Sequence, residues 1–414
     1  YRALAGLDPS CQDYIAAMAG EGAAPAAPAV PAGAPDLGQA VEKGLRESAV
    51  AAARAALEAM TEGYGNPSSG YALGQAAAAA LKEHRAAVAG RLGCAPEELI
   101  FTSCGTEGDN WAVRAAAEYG RRKGRHIITT AIEHAAVLEP VKVLAAQGYE
   151  VTSLKPDRSG HVSPDALRAA LRPDTVLVSM MLVNNELGTI LPVAETARVL
   201  KEAGSGALLH CDGVQGFLKV PFTPKELGVD MLSISGHKIH APKGIGAMYI
   251  RKGLKISPFI RGGGQENGLR SGTEATGQLA ALAAAVTAGR ATLERDLAAM
   301  ADLKQYAVDR LKSAVPRGKV LVEGGAPHIL PISLVGYKSE VVVRFLSDRG
   351  VYISSGSACH KGKPSHVYAA LKLPKKEQDG ALRLSFSYDT TREDIDALVE
   401  GLQAAQAQLF PSMS

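Results

Sequence analysis

Residues 207–238 read ALLHCDGVQGFLKVPFTPKELGVDMLSISGHK, a stretch that contains two short apolar runs, each followed by polar residues. The runs Ala207–Cys211 and Met231–Ile234 have the length and composition of buried strands. Asp212 follows the first run directly, and Ser235 and Lys238 follow the second. If both runs belong to one parallel sheet, their polar neighbours lie at its carboxyl edge, where sheets of this kind bind ligands.

The same alternation extends in both directions along the chain. Further β-rich runs are predicted at Leu99–Thr102, His126–Thr130, Glu150–Leu154, Thr175–Met181 and Gly246–Ile250. Helical segments separate most of them, for example Glu107–Tyr119, Pro164–Leu171 and Val193–Ala203. This spacing predicts an α/β fold with a mainly parallel sheet that helices cover on both faces.

The sequence predicts three regions. Residues 1–60 form an atypical N-terminal segment, with an Ala/Pro-rich linker at 20–35 and a helix from Leu37 to Met60. Residues 61–272 form the large domain, and residues 273–414 a connecting helix and a small α+β domain. In the last region we expect helices at Glu274–Leu311, Ser339–Arg349 and Arg392–Leu409, and strands at Pro331–Val335, Val351–Ile353 and Leu382–Phe386.

Bulk composition excludes several classes of function. The net charge of +3 over 414 residues is too small to indicate a nucleic-acid or membrane surface. No apolar run reaches the roughly 18–20 residues of a membrane span, and the N-terminus lacks the pattern of a secretory signal. The five cysteines are an odd number, are widely spaced and form no Cys-x-x-Cys pair. This pattern argues against a disulfide framework and against a structural zinc site, and it predicts a cytoplasmic protein.

The strongest chemical signal is Ser233-Ile-Ser-Gly-His-Lys238, followed by the Gly-rich segment Pro242–Gly246. A lysine can form a Schiff base with the aldehyde of pyridoxal 5'-phosphate (PLP). The hydroxyl of Ser235 and the imidazole of His237 can donate to the phosphate of that cofactor. A surface lysine beside a turn is the alternative, which the remaining site residues disfavour.

Three other segments could complete a PLP site. Asp212 could keep the pyridine nitrogen protonated, although an aspartate there could also cap the next turn. Gly105 and Thr106 precede a helix and could bind the phosphate, or Thr106 could be an ordinary helix cap. His134 could stack on the pyridine ring or be a structural histidine.

Several ordered motifs strengthen this interpretation. They are Phe101-Thr-Ser-Cys-Gly-Thr-Glu107, Glu133-His134, Asn184-Asn-Glu-Leu-Gly188, His210-Cys-Asp212, Ser235-Gly-His-Lys238, Arg270-Ser-Gly-Thr273, Ser354-Ser-Gly-Ser-Ala-Cys359 and Leu382-Arg383-Leu-Ser385. In this order they resemble the cysteine desulfurases, which are fold-type I PLP enzymes related to the class V aminotransferases. The Cys359 segment is similar to the sulfur-accepting loop of the first desulfurase subgroup, and the resemblance covers residues 63–409.

The resemblance implies a role for each matching residue. Lys238 would hold the cofactor and act in catalysis with Cys359 and His134. The remaining cofactor contacts would come from Gly105, Thr106, His134, Asn185, Asp212, Gln215, Ser235, His237 and Thr273. Asn185 and Arg383 would bind the substrate carboxylate, because the planar guanidinium matches a carboxylate at two points. Thr273 would reach the phosphate of a second subunit, which implies a homodimer.

Cys359 lies among Ser, Gly, His and Lys residues, a composition typical of an exposed loop rather than a packed element. The neighbouring cations favour the thiolate, which is the form that attacks sulfur. The expected reaction converts L-cysteine to L-alanine and leaves a persulfide on Cys359. The sulfur would then pass to an acceptor protein, for example a scaffold for iron–sulfur cluster assembly. Cys104 and Cys211 have apolar strand contexts that favour packing roles.

The sequence departs from the family before Gly65-Asn-Pro-Ser-Ser69, where a strand close to Tyr-Leu-Asp-Asn-Ala-Ala-Thr-Thr is usual. This departure motivates one alternative, a catalytically impaired sulfur-carrier or scaffold protein. Selenocysteine lyase and other PLP β-lyases are nearer alternatives. A PLP aminotransferase fits less well, because transamination has no use for Cys359.

Overall fold

The computed structural model describes residues 47–356 and 365–411. The predicted linker at 20–35, the first part of the helix predicted from Leu37, and Cys359 lie outside the described residues. Within them, no helix is both long enough and apolar enough to cross a bilayer.

In the described part of the chain, helices α1 (Glu47–Thr61) and α2 (Ala72–Leu92) precede the main sheet. Helix α1 coincides with the second half of the helix that the sequence predicts to end at Met60. Both helices pack on the long helix α8 (Thr276–Ala314). The approach is close, since a Cβ atom on Gly277 would lie 2.9 Å from Cγ of Met60. Residues 47–61, which precede Gly65, therefore pack as a helix against α8.

The main sheet has seven strands, in the spatial order β1-β7-β6-β5-β4-β2-β3. Of these seven strands six run in one direction and β7 runs in the opposite direction, so the prediction of a mainly parallel sheet is confirmed. The strands are β1 (Leu99–Thr102), β2 (His126–Thr130), β3 (Glu150–Leu154), β4 (Thr175–Ser179), β5 (Leu208–Asp212), β6 (Met231–Ser235) and β7 (Gly246–Ile250).

Helices cover both faces of this sheet. Successive residues of a strand point to opposite faces, and they therefore belong to different apolar clusters. On β1, Ile100 packs with α3 and α4, whereas Leu99 and Phe101 face the cluster that contains α2, α5, α6 and the start of α8. The connecting helices are α3 (Gly105–Gly120), α4 (Ala135–Ala146), α5 (Pro164–Ala170), α6 (Val193–Glu202) and the short α7 (Pro224–Leu227).

A second, antiparallel sheet with the order β10-β9-β8 has its own apolar core, which includes the C-terminal half of α8. Its elements are β8 (Gly318–Val320), β9 (Ile329–Leu334), α9 (Ser339–Ser347), α10 (His366–Ala370), α11 (Lys375–Asp379), β10 (Ala381–Ser385) and α12 (Arg392–Gln408). The strand predicted at Val351–Ile353 is wrong, because only the following residue, Ser354, pairs with a neighbour, Arg383 of β10.

A buried ion pair holds β1 in place. The guanidinium of Arg85 on α2 donates to both carboxylate oxygens of Glu266, at 2.5 and 2.8 Å, and also to the carbonyl of Leu99 at 2.7 Å. Glu266 in turn accepts from the backbone N–H of Phe101 at 2.8 Å. The pair therefore joins α2, the middle of β1 and the segment that follows β7.

We expect Arg85→Ala to lower the free energy of unfolding by about 3–5 kcal/mol, because it leaves the carboxylate of Glu266 buried without its cation. Urea unfolding measures this loss. The control is Arg168→Ala, which removes an exposed ion pair with Asp165 and Glu202 and should cost less than about 1 kcal/mol. Equal losses in the two variants would show that the Arg85 pair has no special structural weight.

Candidate active site

Three turns meet at the carboxyl edge of the main sheet. They are the turn between β1 and α3 at Gly105, the turn after Asp212 of β5, and the turn after Ser235 of β6. A Cβ atom on Gly105 would lie 2.5 Å from Cγ2 of Val214 and 3.5 Å from Cβ of Ser235. Only glycine permits this approach, which brings the N-terminus of α3 against the ends of β5 and β6.

Lys238 ends a short 3-10 turn, Gly236–Lys238, that directly follows β6. It is half-buried, whereas His237 is exposed. Nδ1 of His237 lies 2.9 Å from Oγ of Ser235, so the two groups predicted to bind phosphate are adjacent. Although the side chain is exposed, partial desolvation of its ring and the charges of Lys238 and Lys243 lower the pKa of His237.

Asp212 is buried at the end of β5, and its Oδ1 accepts from the backbone N–H of Val214 at 2.9 Å. Burial and the nearby carboxylate of Asp109 raise the pKa of Asp212 to about 7, while His134 and His210 oppose the rise. A cation placed against Asp212 would stabilise its ionised form. A protonated ring nitrogen of PLP has the required charge.

His134 caps the N-terminus of α4, and its Nδ1 accepts from the backbone N–H of Ala136 at 3.2 Å. This contact leaves the ring proton on Nε2 in the neutral form. The half-buried ring is near enough to Asp212 to influence its pKa. Both roles considered from the sequence, a structural cap and a ring beside the cofactor, are therefore compatible with this position.

A buried polar cluster that the sequence did not reveal lies behind Asp212. Nε2 of His210 lies 3.5 Å from Oδ1 of Asp109, and Nδ1 of His210 lies 2.9 Å from Oγ of Ser179. Burial raises the pKa of Asp109 to about 7 and lowers that of His210 to about 4. A single acidic residue in an Ala-rich helix gives no local signal of burial, so the sequence does not indicate that Asp109 is buried.

A second residue that the sequence does not indicate is His328, directly before β9 of the small sheet. It is buried, and its Nε2 lies 3.2 Å from Oε1 of Gln215, on the loop after β5. The two residues are 113 positions apart in the chain. No periodicity or motif around His328 indicates this contact.

The two residues predicted to bind a substrate carboxylate are in contact. Nη1 of Arg383 on β10 donates to the carbonyl of Asn185 at 2.9 Å. Nε of Arg383 is buried and has no hydrogen-bond partner in the part of the chain that the structure describes. The pair thus presents a partly unsatisfied guanidinium where the small sheet meets the loop after β4.

Thr106 and Thr273 are both exposed. Thr106 lies in the first turn of α3, and Thr273 follows Arg270, whose Nε donates to Glu107 of the same turn at 2.9 Å. Both threonines are therefore exposed near the turn that is predicted to bind phosphate. The predicted contact of Thr273 with a second subunit stays a prediction.

Cys359 lies outside the described residues, yet both flanks of its segment lie beside Glu186. Oγ of Ser365 donates to Oε2 of Glu186 at 2.6 Å, and a Cβ atom on Gly356 would lie 3.3 Å from the same oxygen. Glu186 is the neighbour of Asn185 in the chain. The two residues that flank the Cys359 segment therefore lie beside the predicted carboxylate site.

The cysteines that the structure describes, Cys94, Cys104 and Cys211, have environments suited to packing. Cys211 is buried in β5, where burial and nearby carboxylates raise the pKa of its thiol. Burial and two glutamates raise the pKa of Cys94 to about 12. Cys104 precedes α3 rather than lying in a strand, and it is half-buried.

The donor set at this edge fits PLP in its chemistry. A lysine amine, a buried carboxylate and an adjoining hydroxyl and imidazole lie at or just after the ends of β5 and β6, which meet the turn at Gly105, where a helix N-terminus can receive a phosphate. The unsatisfied Nε of Arg383 adds a cationic donor for a carboxylate.

Comparison with known proteins gives a consistent result. Residues 49–398 match the family described as Aminotransferase class-V. The chain is 40% identical over 353 residues to the cysteine desulfurase IscS of Methanosarcina thermophila, covering 84% of this chain and 86% of that protein. A solved NifS-like protein superposes with a TM-score of 0.82 at 35% identity, covering 86% of this chain and 96% of the other. A structure titled SspA in complex with cysteine gives 0.72 at 32% identity, covering 83% and 96%. These neighbours confirm the predicted fold-type I architecture.

Proposed function

The chain belongs to the class-V aminotransferase family, within it to the cysteine desulfurases, and from this membership we propose that it is a PLP-dependent enzyme converting L-cysteine to L-alanine with transfer of the sulfur. The observation that carries the proposal is the position of Arg383. Its guanidinium donates to the carbonyl of Asn185, and the residues that flank the Cys359 segment, Gly356 and Ser365, lie beside Glu186, the next residue in the chain. The proposed carboxylate-binding group and the two residues that flank the thiol-bearing segment therefore lie beside the same loop, which follows β4.

We assign the cofactor contacts as follows. Lys238 would hold the PLP aldehyde carbon, Asp212 the pyridine nitrogen, Gln215 the phenolic oxygen and His134 the ring face. The phosphate would be bound by Gly105, Thr106, Ser235 and His237, and by Thr273 of a second copy. When bound, PLP supplies an electron sink for the pair of electrons released at the substrate α-carbon.

The chain's own residues would perform the remaining steps. Arg383 and the side chain of Asn185 hold the substrate carboxylate and so fix the α-carbon above the cofactor. The amine of Lys238 takes the α-proton and returns a proton later. The Cys359 thiolate forms a bond to the substrate sulfur, the Cβ–S bond breaks, and its electron pair stays with the carbon fragment. That fragment takes up protons and leaves as alanine, while Cys359 keeps the sulfur as a persulfide.

We further propose a cytoplasmic homodimer that passes the persulfide sulfur to an acceptor protein, such as an iron–sulfur scaffold. The names of the relatives support sulfur transfer, and the exposed Thr273 supports a contact with a second copy.

The experiment that tests the function is incubation of the purified full chain, with PLP, with L-cysteine under reducing conditions. We expect alanine and sulfide in equal amounts. A preference for selenocysteine would identify a selenocysteine lyase, pyruvate would identify a β-lyase, and transfer of the amino group to an oxo acid would identify a transaminase. A protein that binds sulfur from a donor but forms no alanine would be the impaired carrier or scaffold.

We expect borohydride to bleach the yellow protein and fix the cofactor to one peptide, the one that contains Lys238, because this lysine follows β6 beside the phosphate-binding pair. Mass spectrometry of the reduced digest identifies the site. The matched control is Lys243→Ala, which should bind and fix the cofactor as the wild type does, whereas Lys238→Ala should not. An adduct on Lys243 would contradict the assignment.

A further inference from the structure

One contact at the site joins the two sheets of the molecule. His328 lies directly before β9 of the small sheet, and its carbonyl accepts from the backbone N–H of Phe386 at 3.0 Å. Its Nε2 lies 3.2 Å from Oε1 of Gln215, which belongs to the loop after β5 of the main sheet. His328 is only 5% exposed, so its surroundings restrict the movement of the imidazole.

We propose that His328 is a positioning residue that fixes the side-chain amide of Gln215 so that its NH2 group faces the phenolic oxygen of bound PLP. This inference rests on the proposed function, because it requires Gln215 to be the partner of that oxygen. It goes further by assigning a role to a residue of the small sheet that touches neither the cofactor nor the substrate.

The position of the proton on His328 follows from its two ring nitrogens. An amide oxygen can only accept, so Nε2 must donate to Oε1 of Gln215. Nδ1 is buried and lacks a hydrogen-bond partner among residues 47–356 and 365–411. A proton on Nδ1 would therefore be an unsatisfied buried donor, which is costly, and the Nε2–H form is favoured.

The surroundings of His328 keep its ring neutral. Burial, and then the positive charges of Lys219, Lys304, Arg383 and Lys238, lower the pKa of His328 to about 3. These cations come from four different parts of the fold: the loop after β5, helix α8, strand β10 and the turn after β6. The neutral ring of His328 therefore donates one hydrogen bond, from Nε2.

This fixed donor determines what Gln215 can offer the cofactor. With Oε1 engaged by His328, the NH2 group is the part of the amide left for another partner. A donor on the phenolic oxygen of PLP stabilises the negative charge there. It therefore lowers the pKa of the nitrogen that joins Lys238 to the cofactor, which lies next to this oxygen. The visible absorption spectrum reports the loss of that proton.

The experiment is a pH titration of the visible spectrum of the PLP-loaded full chain, which does not depend on turnover. His328→Leu should raise the midpoint by about 0.5–1 pH unit, the shift expected for losing or weakening one hydrogen bond. His328→Gln should keep the wild-type midpoint, since a glutamine amide can reach the position of Nε2. His328→Asn, whose amide is one carbon shorter, should resemble the leucine variant. The exposed His161→Leu is the control and should leave the midpoint unchanged.

A double variant tests whether His328 acts through Gln215. Gln215→Leu should raise the midpoint at least as far as His328→Leu, and combining the two changes should add nothing further. Additive shifts, or a wild-type midpoint in His328→Leu, would overturn the inference while the protein still binds PLP. A wild-type protein that binds no PLP would instead overturn the proposed function itself.

Discussion

Replacing Asp212 with asparagine should leave PLP bound but slow alanine formation by about a thousandfold or more, which corresponds to roughly 4 kcal/mol of lost transition-state stabilisation. Asp212 is buried, and burial together with Asp109 raises its pKa to about 7, so the site tolerates its ionised form poorly without a cation. A protonated ring nitrogen supplies that cation and becomes the electron sink. Asparagine cannot hold the proton there, and the sink is lost.

The measurement is the single-turnover rate with saturating cysteine, together with the cofactor content of each variant. The control is Asp109→Asn, which removes the other buried carboxylate of the cluster without removing the group at the end of β5. We expect its rate to fall by about tenfold at most. A near-normal rate for Asp212→Asn would show that this carboxylate does not hold the ring nitrogen.

Changing Cys359 to alanine should lower sulfur transfer by at least about a hundredfold, because it removes the covalent nucleophile. The yellow colour of the protein should persist, since none of the proposed cofactor contacts involves this side chain. After one turnover, mass spectrometry should find the additional sulfur on the wild-type peptide that contains Cys359.

The matched controls for Cys359 are Cys104→Ala and Cys211→Ala. Both cysteines lie near the proposed cofactor site, but Cys211 is fully buried with a raised pKa. We expect these variants to retain sulfur transfer and to lose only about 1 kcal/mol of stability. An extra sulfur on Cys104 or Cys211 of the wild-type protein, or normal desulfuration by the Cys359→Ala variant, would favour a simple β-elimination lyase.

The main sheet could be predicted from the sequence because each of its strands is a short run rich in residues that favour strands, which needs only local information to recognise. The apolar run Thr175–Met181 predicts a strand two residues longer than the observed one. Strand β4 ends at Ser179, although the apolar residues Met180 and Met181 follow it. Val351–Ile353 was predicted as a strand and is irregular, since a strand also needs a partner along its length. There the pairing is confined to Ser354 and Arg383, a contact between distant segments that composition does not encode.

By itself, the sequence determined the α/β class and the order of the site residues that follow strands, because Asp212 and Lys238 stand next to apolar runs whose ends must share one edge of a parallel sheet. The tertiary structure alone decided which distant groups touch. It placed Arg383 on the carbonyl of Asn185, 198 positions away, buried Asp109 behind Asp212, and set His328 against Gln215. Such contacts depend on how the two sheets pack around α8, and side-chain packing between distant segments has no period or motif that a single sequence can display.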